Sequence, residues 1–195
     1  MPITVKPTQA DLAIAREVVR YTNERTEKAA DVITWGADEH LLEALTVGWW
    51  LWCRGRPAGQ RQASNHLLVT TLAASALPHL LKLVFNQRRP DRVTVRGHLH
   101  GVPFSGKPLD AFPSGHAIHI GALGSAASRL PAAQRYAIWA AGAALATTRV
   151  VLLAHWASDV AAGLLIGVGL ERGLRRLTGF GRESSRCEPD DGHAP

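Results

Sequence analysis

Residues 149–171 read RVVLLAHWASDVAAGLLIGVGLE. Between Arg149 and Glu171 lie 21 residues whose only ionisable groups are His155 and Asp159. The run is long enough to cross a bilayer as an α-helix. Ionisable groups in so apolar a segment are costly without partners, which marks the pair as a candidate site. Their spacing of four predicts one shared face of a helix over about 155–174.

Weaker apolar stretches precede it at 41–53, 67–81, 117–128 and 136–148, each extended by polar flanks suited to a membrane interface. They predict helices over 39–53, from Ser64 or Asn65 to 85 with a kink at Pro78, over 114–130, and over 131–150 with Pro131 in the first turn. Trp49, Trp50 and Trp52 read as an interface anchor. Residues 8–30 are charged, with one weak apolar stripe, and predict a surface amphipathic helix. The fold class expected is therefore all-α, a multi-pass membrane bundle of about five transmembrane helices plus an N-terminal amphipathic helix. The expected division is 1–37 surface segment, 38–177 membrane-embedded domain and 178–195 disordered tail. Gly163/Gly167, Gly121/Ser125 and Gly124/Ser128 are small residues four apart. They predict close helix approach or simply reflect alanine-rich composition.

Net charge is +6 over 195 residues, yet the cations fall in loops rather than along a helix face, which argues against nucleic-acid binding. Cys53 and Cys187 lack metal-ligand spacing and predict no disulfide framework. No apolar h-region follows Met1, so no cleavable signal is expected. If the helices alternate, Arg54, Arg56 and Arg61, then Arg129 and Arg135, then Arg172, Arg175 and Arg176 share one face, which the positive-inside rule assigns to the cytoplasm.

Three strings of chemistry then fall on the opposite face: Lys82 with Arg89-Pro90; Pro113-Ser114-Gly115-His116; and Arg149, His155 and Asp159. Phosphoryl transfer is mostly positioning and electrostatic stabilisation. Lys82, Arg89 and Arg149 supply cations for phosphate oxygens. Pro113–His116 reads as a helix start whose free N–H groups suit an anion, with Gly115 permitting close approach and Ser114 either capping or donating to phosphate. Asp159 is placed to fix the tautomer of His155, leaving the other ring nitrogen as nucleophile. His116 is the candidate acid and base. His66, His79, His98, His100 and His119 read as loop or interface histidines, His98 and His100 as candidate headgroup contacts.

Over about residues 64–175 this order and spacing resembles the phosphatidic acid phosphatase type 2 superfamily, which also includes class A acid phosphatases and vanadium haloperoxidases. Thr148 departs from its pattern, which has serine there. The resemblance implies a phosphohistidine on His155, His116 as general acid and base, and Asp159 as the orienting carboxylate. Lys82, Arg89, Ser114, Gly115 and Arg149 would surround the phosphate, and no metal or other cofactor is implied. The function expected is a membrane phosphatase hydrolysing a lipid phosphate or diphosphate at the outer face of the inner (plasma) membrane. Two alternatives are a soluble acid phosphatase or vanadate-dependent haloperoxidase, and a non-catalytic protein that binds anionic lipid. The particular lipid and the oligomeric state are not legible.

Overall fold

The computed structural model describes residues 2–90 and 109–181. His98, His100, Cys187, most of the 86–113 loop and the predicted tail beyond residue 181 lie outside them. Seven α-helices make up most of the described chain: α1 (Gln9–Tyr21), α2 (Glu24–Thr34), α3 (Glu39–Trp52), α4 (Ala58–Val84), α5 (Gly115–Ala126), α6 (Ala132–Val151) and α7 (Ala157–Thr178). The fold is all-α, as the apolar runs predict.

α5 is the axle. Ala117, Ile118, His119, Ile120, Gly121, Ala122, Gly124 and Ser125 are all buried, so its apolar character runs all round rather than along one stripe. It packs most extensively on α7, and glycines make that approach possible. A Cβ on Gly167 would strike the Ile118 carbonyl and the Ala122 nitrogen. One on Gly163 would strike the Ser114 carbonyl and the Ala117 side chain, and one on Gly121 the Leu164 carbonyl. Close approach, rather than composition, is thus what the small residues serve.

Three boundaries differ from expectation. The N-terminal helix is two helices, because Asn23 caps α2 by accepting from Arg25 and Thr26 N–H. α4 begins at Ala58 behind Pro57, two turns before Ser64, and runs unbroken through Pro78. α7 begins after Trp156, so His155 precedes the helix and does not share a face with Asp159.

Two short extended segments complete the frame. β1 (Ile3–Thr4) runs parallel to β2 (Phe85–Asn86). Just beyond β2, Gln87 N–H donates to the Leu109 carbonyl and Ala111 N–H to the Gln87 carbonyl. At one end of the bundle Gln62 donates to the Gly179 carbonyl and Arg129 to the Gly181 carbonyl. The α3–α4 turn, the α5–α6 turn and the end of α7 therefore gather together. The C-terminal end of α4, the N-terminal ends of α5 and α7 and the α6–α7 turn gather at the other.

Candidate active site

At that second end a cavity of about 170 Å³ is lined by Lys82, Arg89, Gly115, His116, Arg149 and His155, with Asp38, Glu39, Pro78, His79 and His119. Six of the eight residues singled out from sequence meet there; Ser114 and Asp159 lie just behind.

Local structure explains each placement. α6 ends in a Schellman turn, with Ala154 N–H donating to the Arg149 carbonyl (3.1 Å) and Leu153 N–H to the Val150 carbonyl (3.0 Å). Leu153 takes the left-handed conformation at φ 52°, where glycine is usual, and is held there by burial with Ala111 and Trp156. The turn folds the chain back, so that His155 N–H also reaches the Arg149 carbonyl (3.2 Å).

His155 Nδ1 lies 2.6 Å from the Ala111 carbonyl oxygen. A carbonyl only accepts, so Nδ1 carries the proton and the neutral ring keeps its lone pair on Nε2. Asp159 does not make this contact, contrary to the expected His155–Asp159 hydrogen bond. As the third residue of α7, its carboxylate turns back to accept from Trp156 N–H (2.9 Å). With the Gln87 amide oriented nitrogen-first, Gln87 also donates to it (2.5 and 3.2 Å). Burial, and then the Arg149 and Arg89 guanidinium groups, push the His155 imidazole well below the ordinary histidine value of 6.5.

The cations are held unequally. Asp110 accepts from Arg89 Nε at 2.8 Å and lies 3.7 Å from Lys82 Nζ. Arg149 donates to the Thr34 hydroxyl (3.1 Å), and its Nε is buried without a hydrogen-bond partner. Ser114 is the N-cap of α5, but its side chain makes no capping bond and its buried hydroxyl is likewise unpartnered. The first bond of α5 is Ile118 N–H to the Ser114 carbonyl, which leaves the N–H groups of Gly115, His116 and Ala117 outside the helical ladder. The Thr148 hydroxyl donates to the Leu145 carbonyl within its own helix (2.6 Å), a local role that serine would fill equally.

Several contributors are invisible to motif reading. Asp11, on α1, is 2% exposed and accepts from Ser158 N–H (2.9 Å) and Ser158 Oγ (2.8 Å), capping the first turn of α7 from 147 residues away. Gln87, Asp110, Ala111 and Thr34 act on His155, Asp159, Arg89 and Arg149 from behind. Only Asp11 carries a local signal, since Thr8 and Asp11 form a capping box at the start of α1. The histidines read as peripheral divide differently. His119 is buried and lines the cavity, bonded to Ser75 (3.1 Å) and the Gly115 carbonyl (3.1 Å). His66 is buried against Glu171 (3.0 Å) at the other end. His79 is exposed beside the cavity.

The sequence model of the PAP2 superfamily matches residues 63–180. Lipid A 1-phosphatases of Rhizobium etli and Rhizobium johnstonii are each 38% identical over 103 residues, 52% of this chain and 44% and 42% of theirs. The matched stretch thus spans under half the length of these curated relatives. Among solved structures, the crystal structure of Aquifex aeolicus LpxE superposes with a TM-score of 0.66 at 14% identity, over 89% of this chain and 99% of that one. The transmembrane PAP2-type phosphatidylglycerolphosphate phosphatase of Bacillus subtilis gives 0.61 at 17% identity, over 91% and 88%.

Proposed function

Since the chain belongs to the PAP2 superfamily, we propose that it is a membrane phosphatase that hydrolyses a lipid phosphomonoester through a phosphohistidine on His155. The observation that carries this reading is the convergence of Lys82, Arg89, Arg149, His116 and His155 on one cavity from separate elements. The lipid A phosphatase relatives support a lipid substrate.

In the first step His155 Nε2 attacks phosphorus and the bond from phosphorus to the lipid oxygen breaks. His116 gives its proton to that departing oxygen. In the second step His116 takes a proton from water, whose oxygen displaces Nε2 and releases inorganic phosphate. The Ala111 carbonyl keeps Nδ1 protonated, so that Nε2 is the nitrogen that attacks. Lys82, Arg89, Arg149 and the free N–H groups of α5 meet the charge on the phosphoryl oxygens. Arg149 Nε and the Ser114 hydroxyl are buried donors that a bound anion would satisfy. Asp159 acts one layer back, holding the start of α7. With three side-chain cations on the phosphate, no metal is required.

A membrane setting is supported by large apolar side chains facing outward along the helices. Leu45, Leu80, Leu83 and Leu165 are 60 to 76% exposed, a surface that water disfavours and lipid does not. The same surface argues against a soluble phosphatase. The arginine-rich end would face the cytoplasm and the cavity the outer side of the inner membrane, with residues 38–177 as the embedded domain.

In detergent-purified protein, His155→Ala is expected to abolish phosphate release from phosphatidate and to leave no acid-labile phosphoryl label on the chain. Near-normal turnover would remove the proposed nucleophile.

A further inference from the structure

We infer that the cavity selects lipid monophosphates over lipid diphosphates, with Glu39 as the discriminating side chain. The inference rests on the phosphatase reading and deepens it.

The cavity has an inside and a mouth, defined by exposure. Arg89, Arg149 and His155 are 3 to 8% exposed, whereas the Glu39 and His79 side chains are 36% and 71% exposed. A phosphoryl group that reaches His155 therefore leaves the rest of its substrate among Asp38, Glu39 and His79.

The charges point the same way. Of the three cations lining the cavity, Arg89 and Lys82 already face Asp110, whereas Arg149 is bonded to the Thr34 hydroxyl and feels only the more distant Asp31 carboxylate. Two carboxylates, Asp38 and Glu39, stand on the substrate side instead. A diphosphate bound for hydrolysis places its second phosphate, which bears at least one full negative charge, in that acidic half. A monophosphate places only its leaving group there, and a hydroxyl- or ammonium-bearing group is welcome beside carboxylates. The repulsive element supplies the selectivity. Asp38 is occupied as the cap of α3, accepting from His40 and Leu41 N–H (3.0 and 3.2 Å). Glu39 makes loose pairs with His79 at 3.9 Å and His40 at 4.0 Å and lies within electrostatic reach of Lys82; of the two carboxylates it is the one that can be exchanged without uncapping α3.

The test compares kcat/KM for geranylgeranyl monophosphate and geranylgeranyl diphosphate, the same lipid with one phosphate or two, in wild type, Glu39→Gln, Glu39→Lys and Glu39→Asp. Because the readout is a ratio within one preparation, any loss of folded protein cancels. Wild type and Glu39→Asp are expected to favour the monophosphate. Glu39→Gln is expected to lower the ratio about tenfold and Glu39→Lys further, and the difference should shrink at high salt. Ratios unchanged within twofold in both charge-altering variants, or a wild type that prefers the diphosphate, overturn the inference while leaving the phosphatase reading intact. A wild type that hydrolyses neither lipid, nor phosphatidate, takes both down.

Discussion

His155 is defined more by its backbone partner than by its sequence neighbour. Held below 6.5 by burial and two guanidinium groups, it stays neutral, and Nε2 stays available, as pH falls past the ordinary histidine value. The acid limb of kcat/KM, which reports the free enzyme, is therefore expected to lie well below pH 6.5, with activity falling tenfold per pH unit only beneath the depressed value. A midpoint at or above 6.5 in a pH–rate profile on phosphatidate would contradict this environment. At this scale the ordered strings Lys82/Arg89, Pro113–His116 and Arg149/His155 were enough to nominate the cavity lining, because those side chains reach it directly. Ala111 and Gln87 were not legible. Ala111 contributes a carbonyl that every residue has, and Gln87 meets Asp159 only after the chain has folded.

Among the elements, α7 begins with only half of the usual local signal, an acid at its third position, Asp159, behind an N-cap that offers no acceptor side chain. Trp156 is its N-cap residue, so the side chain that normally marks a start is missing, and a helix opening at His155 is two residues too early. The missing acceptor comes from α1. Burial alone would raise the Asp11 carboxyl, but the hydrogen bonds from Ser158 and Thr8 outweigh it and hold the group below 3.8. A depressed carboxyl contributes stability that is complete above its unfolded value and lost as pH falls through the folded one. Asp11→Asn is thus expected to destabilise the protein by about 1–2 kcal/mol at pH 7. The gap should close as pH falls through that depressed value, and thermal unfolding in detergent measures both. A gap that persisted there would deny the carboxylate its role. The α5–α7 contact was legible as a spacing of glycines but not as a register. Gly167→Ala forces a methyl group onto the α5 backbone and should cost about 1–3 kcal/mol. Gly169→Ala faces open space and should stabilise by up to about 1 kcal/mol.

Over the whole molecule, the expectation of an arginine-rich end opposite a chemical end is met by the packing. Span counting was less legible. Among the described residues only α4, with mean hydropathy 1.6, is long and apolar enough by itself to cross a bilayer. α5 is enclosed by its neighbours, so its length answers to protein packing rather than to lipid thickness. Activity is expected to require detergent or lipid for recovery and to survive exhaustive dialysis against EDTA. Its loss on chelation, restored by a divalent cation, would show that the side-chain cations are insufficient. The joints between the three chemical strings are largely peptide groups: Gln87 with Leu109 and Ala111, Ala111 with His155, and the Trp156 indole on the Arg88 carbonyl (2.7 Å). Hardware of that kind is written in the path of the chain and not in its spelling. Arg88 and Leu109, which contribute only their carbonyls, are accordingly freer to drift in descendants than Gln87 and Asp110, whose side chains are used, and a search for relatives by letters alone would overlook such fixtures.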